Sequence, residues 1–212
     1  MTNLHDPNWL SSLVPLKLYA HGTWDPAEHE WGDDGEPLEP WAAEIARRGP
    51  RPRFEMEQVL PGSDPGDPDG DPILEAMDLA QAGRHPEARR VLERLLGTDM
   101  RCLDAHAHLG NIEFEGDPAA ALEHYERGSR IGELTVPRSF EGVLPWSMLD
   151  NRPFHRCEFG LALCYWRLRR FADAAELMQR LLWLNPADNL GVRFVLPAVQ
   201  ARRRWTRRSM DV

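Results

Sequence analysis

Lysine is almost absent from this 212-residue chain, since Lys17 is the only one and arginine supplies every other basic side chain. That usage, with abundant Ala, Gly and Pro, is what a GC-rich genome produces, so arginine abundance by itself carries little functional weight. Cysteine is scarce too: Cys102, Cys157 and Cys164 are odd in number and lack Cys-x-x-Cys spacing. They read as buried free thiols in a reducing cytosol rather than as a disulfide framework or a metal-ligand set. No stretch stays apolar for the roughly 18 residues that a membrane span needs. The start, Met1 to Ser12, lacks the basic and then apolar order of a secretory signal, so a cytoplasmic protein is expected. Positive charge is also short, with 25 Lys and Arg against 34 Asp and Glu and a net of -9. An overall field that would draw nucleic acid or anionic lipid is therefore lacking, and no membrane contact is expected. Gly-x-x-x-x-Gly-Lys, Gly-x-Gly-x-x-Gly, Gly-x-Ser-x-Gly and His-Glu-x-x-His are missing as well. No catalytic residue, metal or cofactor is expected on that basis.

What the chain does contain is repetition. Ala88, Ala121 and Ala174 each precede a large residue by four positions (Leu92, Tyr125, Met178), and each follows a turn and a shorter apolar pattern. Spacing of this kind predicts stacked helical hairpins, because one hairpin cannot bury its own apolar face. In the first unit Ile73, Leu74, Met77 and Ala80 form the predicted stripe of one helix, and Ala88, Val91, Leu92, Leu95 and Leu96 that of the next. The third unit is the most regular, with Leu161, Cys164, Tyr165 and Leu168 at i, i+3, i+4 and i+7. Units are expected at about 69–102, 103–134 and 155–188, with an insertion at 132–153 and a last, capping helix at about 189–208.

The front of the chain reads differently. Residues 1–70 hold 14 acidic and 5 basic residues and so carry the whole net charge. Trp9, Trp24, Trp31 and Trp41 are spaced among prolines at 7, 15, 26, 37 and 40, which break long helices and strands. Residues 1–62 are expected to be a mostly irregular, acidic extension lying Trp-down on the body, with one short helix over 38–48. Residues 63–70, rich in Pro, Gly and Asp, read as a linker to a repeat domain at 71–212.

The repeats resemble the tetratricopeptide repeat family, whose unit is a helix-turn-helix of about 34 residues. In 155–188, Leu161, Ala162, Tyr165, Ala174, Leu181 and Pro186 fall where the family has Leu, Gly or Ala, Tyr, Ala, Ala and Pro. Leu109-Gly110, Gly116, Ala121 and Tyr125 match in the second unit after a one-residue deletion, and Ala76, Leu79, Gly83, Ala88 and Leu92 in the first. Departures are Pro72, His106 and Glu158 where the family has Trp, and Gly128 where a small Ala packs. Leu184 to Arg193 also looks like the tail of bacterial repeat proteins. The resemblance implies an all-α fold, a short right-handed solenoid of helical hairpins, and a non-enzymatic adaptor that binds a protein or peptide in its concave groove. Carried over residue by residue, that groove is lined by Met77, Gln81, Asp104, Ala107, Asn111, Glu115, Arg156, Phe159, Leu163, Trp166 and Arg167. Phe140 and Trp146 in the insertion are candidate lid residues. Where some members hold a chaperone's C-terminal carboxylate, this chain has Ile73, Met77, His108, Arg156 and Gly160, so that mode is not expected.

Two other readings are open from the residues. His21, His29, Asp33 and Asp34, interleaved with Trp24 and Trp31, would have to converge in one cleft for the front to close a catalytic pocket over the repeats. The tail Arg202-Arg203-Arg204-Trp205-Thr206-Arg207-Arg208 is the one basic patch, for which nucleic acid, docking and a solvated end compete; nucleic-acid binding is unlikely in a chain of net negative charge. His106 and His108 point about 200° apart on a helix and cannot share an ion.

Overall fold

The computed structural model describes residues 9–31, 37–63, 66, 70–206 and 209. Among them six helices pair consecutively: α2 (Pro72–Gln81) with α3 (His85–Thr98), α4 (Leu103–Phe114) with α5 (Pro118–Glu133), and α6 (Arg152–Arg167) with α7 (Phe171–Leu184). Further contacts of α3 with α4, α4 with α6 and α5 with α6 join the pairs into one body, and α8 (Val192–Gln200) packs on α7. Local chemistry starts several of these helices. Asp71 accepts from the Ile73 N–H at 2.7 Å, and Asp117 accepts from Ala119 and Ala120 at 3.0 and 3.1 Å, each followed by a first-turn proline. Asp188 does the same for α8, accepting from Val192 at 2.7 Å and Arg193 at 3.0 Å.

The three repeated alanines are fully buried where helices cross. Tyr125 of α5 is wedged between α4 and α6, where a Cβ at Gly110 or Gly160 would run into its ring. Gly128 is a departure from the family with a local cause, since a Cβ there would meet Cys157 Sγ and the His106 side chain. The predicted stripe of α2 is shifted: Ile73 and Ala76 are buried, whereas Leu74 and Met77 are 48% and 43% exposed. As the first helix of the stack, α2 packs mainly on α3, so only one narrow face is covered. Leu168 likewise is exposed, because α6 ends at Arg167 and Leu168 stands in the turn.

Charge is buried between the second and third hairpins. Glu158 is fully buried and accepts from Ser129 and from Arg180, the latter at 2.7 Å. Arg180 also donates to Glu133 at 3.2 Å and to the Val136 carbonyl at 2.6 Å. Burial pushes the Glu158 carboxyl up, while Arg180 and Ser129 oppose the shift. Cys102, Cys157 and Cys164 are all buried and unpaired, and burial pushes the Cys102 and Cys164 thiols up to about 12.

Among the described residues the front holds a strand pair that the sequence reading did not include. β1 (Leu18–Trp24) and β2 (Arg51–Met56) pair antiparallel from Leu18 opposite Met56 to Trp24 opposite Arg51, with an irregularity between Ala20 and Thr23. Between them lies α1 (Pro40–Arg47), inside the predicted span. The prolines at 26, 37 and 40 fall in the connection rather than in the strands, which is why they do not prevent pairing. The insertion adds to β2: the Phe54 N–H donates to Val143 O and the Val143 N–H to Pro52 O, both at 2.9 Å. Asn151 closes the joint, accepting from the Met56 N–H at 2.8 Å and donating to Phe54 O at 3.0 Å and Pro145 O at 3.1 Å. Trp9, Leu16 and Met56 are buried in one cluster with Leu103, Ile131, Val136, Leu144, Phe154 and Leu184. Trp24, Trp31 and Trp41 meet edge to face, and the buried Arg51 guanidinium lies 5.0 Å from the Trp24 ring and 3.7 Å from Trp183.

Candidate functional site

On α4 the helical period brings Asp104, Ala107, His108, Asn111 and Glu115 to one side, and on α6 it brings Arg156, Phe159, Leu163 and Arg167. The packing of α4 on α6 sets the two rows beside each other. Phe159 and Leu163 are each only 9% exposed and Ala107 is fully buried, so the middle of this face is mostly closed by the two helices themselves. Asn111 is exposed, and its side-chain oxygen accepts from the Tyr125 hydroxyl at 2.7 Å.

The two ends of the face are closed by different segments. At one, Asp104 accepts from Arg156 at 2.8 Å and from Gln58, just past β2, at 3.3 Å. The Arg156 guanidinium lies 5.8 Å from the Trp146 ring, and Trp146 also faces Arg152 at 5.2 Å. At the other end Arg167 donates to the Phe114 carbonyl, and its guanidinium stands 4.7 Å from the Phe114 ring and 4.4 Å from Trp205. Trp166 is 1% exposed and donates its indole N–H to the Arg203 carbonyl at 2.7 Å. Residues 203–205 therefore lie over the ends of α4 and α6. Phe140 packs on Phe54, 5.4 Å between ring centroids, on the β2 side.

A small cavity of about 130 Å³ opens beside α4, lined by Ala76 and Ala80 of α2, His85 and Leu92 of α3, and His108, Asn111 and Ile112 of α4. Leu74 and Met77 are exposed on α2, the helix that supplies two of its walls. His108 Nε2 has no hydrogen-bond partner, and burial lowers the pKa of the ring against the pull of Asp104, 3.9 Å away. Sequence reasoning missed His85 and Leu74 as parts of this surface, and named His108 without placing it at a cavity. For Leu74 the signal was misleading, since an apolar residue at helical spacing reads as core.

The catalytic reading finds little geometry. His21 lies 3.4 Å from Glu55 on the hairpin, whereas His29 sits against Trp24 and Trp31, 5.5 and 4.6 Å between centroids. Asp33 and Asp34 lie outside the described residues, as do Arg207 and Arg208. His106 is buried, its Nε2 paired with the Met100 carbonyl at 3.0 Å, and burial pushes it down to about 3. Among the described residues no group of three His, Cys, Asp or Glu is placed to hold a metal ion, and no helix is long and apolar enough to cross a membrane.

A family model described as tetratricopeptide repeat matches residues 73–132, which span α2 to α5, and 149–189, which span α6 and α7. No curated protein and no solved structure matches the chain. Repeats of this family generally mediate protein–protein interaction and are typically non-enzymatic. With the paired helices and the buried alanines, the match supports a couple of repeats of the tetratricopeptide type over these residues.

Proposed function

We propose that this chain is a non-enzymatic, cytoplasmic adaptor, in which α2, α4 and α6 line the concave side of a right-handed hairpin stack and hold a segment of a partner protein. Residues 71–212 are the binding domain and residues 1–62 its acidic extension, joined through 63–70. The observation that carries this reading is the cavity beside α4 with Leu74 and Met77 exposed on the neighbouring helix. At about 130 Å³ the cavity is well below the roughly 300 Å³ at which small-molecule pockets begin, and it suits one inserted side chain. Asn111, Glu115 and Arg156 flank the track of the bound segment, while Phe159, Leu163 and Trp166 support it from beneath. Trp146 acts by holding Arg156 rather than by closing over the groove.

An affinity pull-down read by mass spectrometry tests this with the Leu74→Arg, Met77→Glu double variant. Both side chains are exposed, so the melting midpoint should stay within about 3 °C of wild type, as for surface changes away from packed contacts. Captured partners should fall at least tenfold. Recovery of the same partners by the folded variant would refute the groove.

A further inference from the structure

Resting on the groove reading above, we propose a second recognition point at the far end of the α4–α6 face, built from Trp166, Arg167 and Phe114. It fits an extended protein segment that offers a backbone carbonyl and, two residues later, a large aromatic ring. The chain's own residues 203–205 occupy this point in cis.

The tail shows what the point recognises. After α8, Arg202 takes a left-handed conformation (φ 54°) and the Arg203 N–H donates to Ala198 O at 2.9 Å, which turns the chain back. The Arg203 carbonyl then meets the only polar atom of the buried Trp166 side chain at 2.7 Å. Two residues on, the Trp205 ring meets Phe114 edge to face at 5.9 Å and receives the Arg167 guanidinium at 4.4 Å. Residues 203–206 make no regular secondary structure, so the segment is attached by a backbone contact and one ring rather than by a ladder.

Two features mark the tail as a replaceable occupant. The Trp205 indole N–H is buried without a hydrogen-bond partner, so the tail leaves a donor of its own unsatisfied at this point. A partner with Phe in that place, or one that brings an acceptor, keeps the ring contacts without the unsatisfied donor. Arg203 and Arg204 are exposed, so specificity rests on the carbonyl and the ring rather than on the charge of the segment.

The test uses the full chain as wild type, Trp205→Ala and Trp205→Phe, with a fluorescein-labelled peptide of residues 199–208 as probe, read by anisotropy beside a thermal melt. The peptide should bind the Trp205→Ala chain at least tenfold more tightly than wild type, because a tethered tail competes at an effective concentration near the millimolar range. Trp205→Phe should exclude it as wild type does, and adding Arg167→Ala to the Trp205→Ala chain should abolish its binding. Equal binding to wild type and Trp205→Ala, or none to a Trp205→Ala chain that still melts cooperatively, would overturn the proposal. So would a wild-type dimer that Trp205→Ala dissolves, since the tail would then sit on a second copy. Should Trp205→Ala not fold, exchange of the Trp166 indole proton in wild type decides: exchange as slow as that of the α6 amides makes the tail permanent core and overturns the proposal. If the Leu74→Arg, Met77→Glu chain loses its partners while the peptide ignores Trp205, the groove stands and this inference fails. Peptide binding without groove-dependent partners gives the reverse.

Discussion

The repeat body and the Trp-rich front are held together by different means. The body makes its own core, with one cluster spanning α2 to α4 and another dominated by α6, α7 and α8. The front cannot, since β1 has no buried residue and β2 buries only Arg51 and Met56. Its apolar side chains reach water-free surroundings by sharing clusters that the body and the insertion mostly fill, Trp9, Leu16 and Met56 in one, and Ile45 with Trp24, Trp31 and Trp41 in the one dominated by α6 to α8. The body is thus a continuous packed solid, whereas the front adds to its borrowed apolar contacts a set of directional joints, among them Asn151 to β2 and Arg51 to the Trp183 carbonyl. Directional joints fail one at a time, and a packed core fails as a whole.

The sharpest break is in the body. Arg180→Ala would leave Glu158 fully buried without its cation, so about 3 to 5 kcal/mol of stability should be lost in urea unfolding. The transition should move for α5, α6 and α7 together. A loss below about 1 kcal/mol would mean that Glu158 finds water or a proton instead.

Asn151→Ala attacks the joint and should cost about 2 to 3 kcal/mol, locally, because the Met56 N–H and the Phe54 and Pro145 carbonyls lose a buried partner. Native-state hydrogen exchange should speed up at Phe54 and Met56 while α4 and α5 amides keep their protection. Equal loosening of both regions would erase the distinction between them.

Acid sharpens the contrast through two buried rings of the body. His155 donates from Nε2 to Leu144 O at 2.7 Å, which leaves its buried Nδ1 unpaired, and burial pushes its pKa down to about 4. His106 is pushed to about 3. Unfolded histidine takes its proton near pH 6.5, so below that value the unfolded chain binds more protons and stability falls as pH drops. The decline should approach about 1.4 kcal/mol per pH unit for each of the two, ending near their folded values. Glu158 and Asp188, both raised by burial, pull the opposite way where they titrate. The melting midpoint measured from pH 7 to 5 should fall, and His155→Asn should flatten the slope. A flat wild-type profile would mean that protons reach these rings in the folded protein.

Much of the body was legible because helix period and capping are local properties. Asp71-Pro72 and Asp117-Pro118 start helices by capping of their own N–H groups, and Ala88, Ala121 and Ala174 are buried as their recurrence implies. Leu74 shows the limit: apolar identity and spacing say that a helix has a face, not whether a neighbour covers it. The hairpin was illegible for a related reason, since β1 and β2 are separated by α1 and each is too short to announce a partner that distant in sequence. Of the candidate site residues, Asn111 and Glu115 are exposed, while Trp166 is buried beneath the returning tail. Nothing in Trp166 itself foretells that cover, since it depends on a turn at Arg202 far along the chain.

The sequence alone determined that the body is built of paired helices resembling tetratricopeptide repeats, because 3.6-residue periodicity and small residues at the crossings are written within each unit. Only the tertiary structure decided which apolar side chains stay open, that the insertion joins β2, and that residues 203–205 lie across α4 and α6. Those outcomes depend on contacts between residues distant in the chain, whose partners are chosen by shape and by the need to pair buried N–H and C=O groups once the helices have packed.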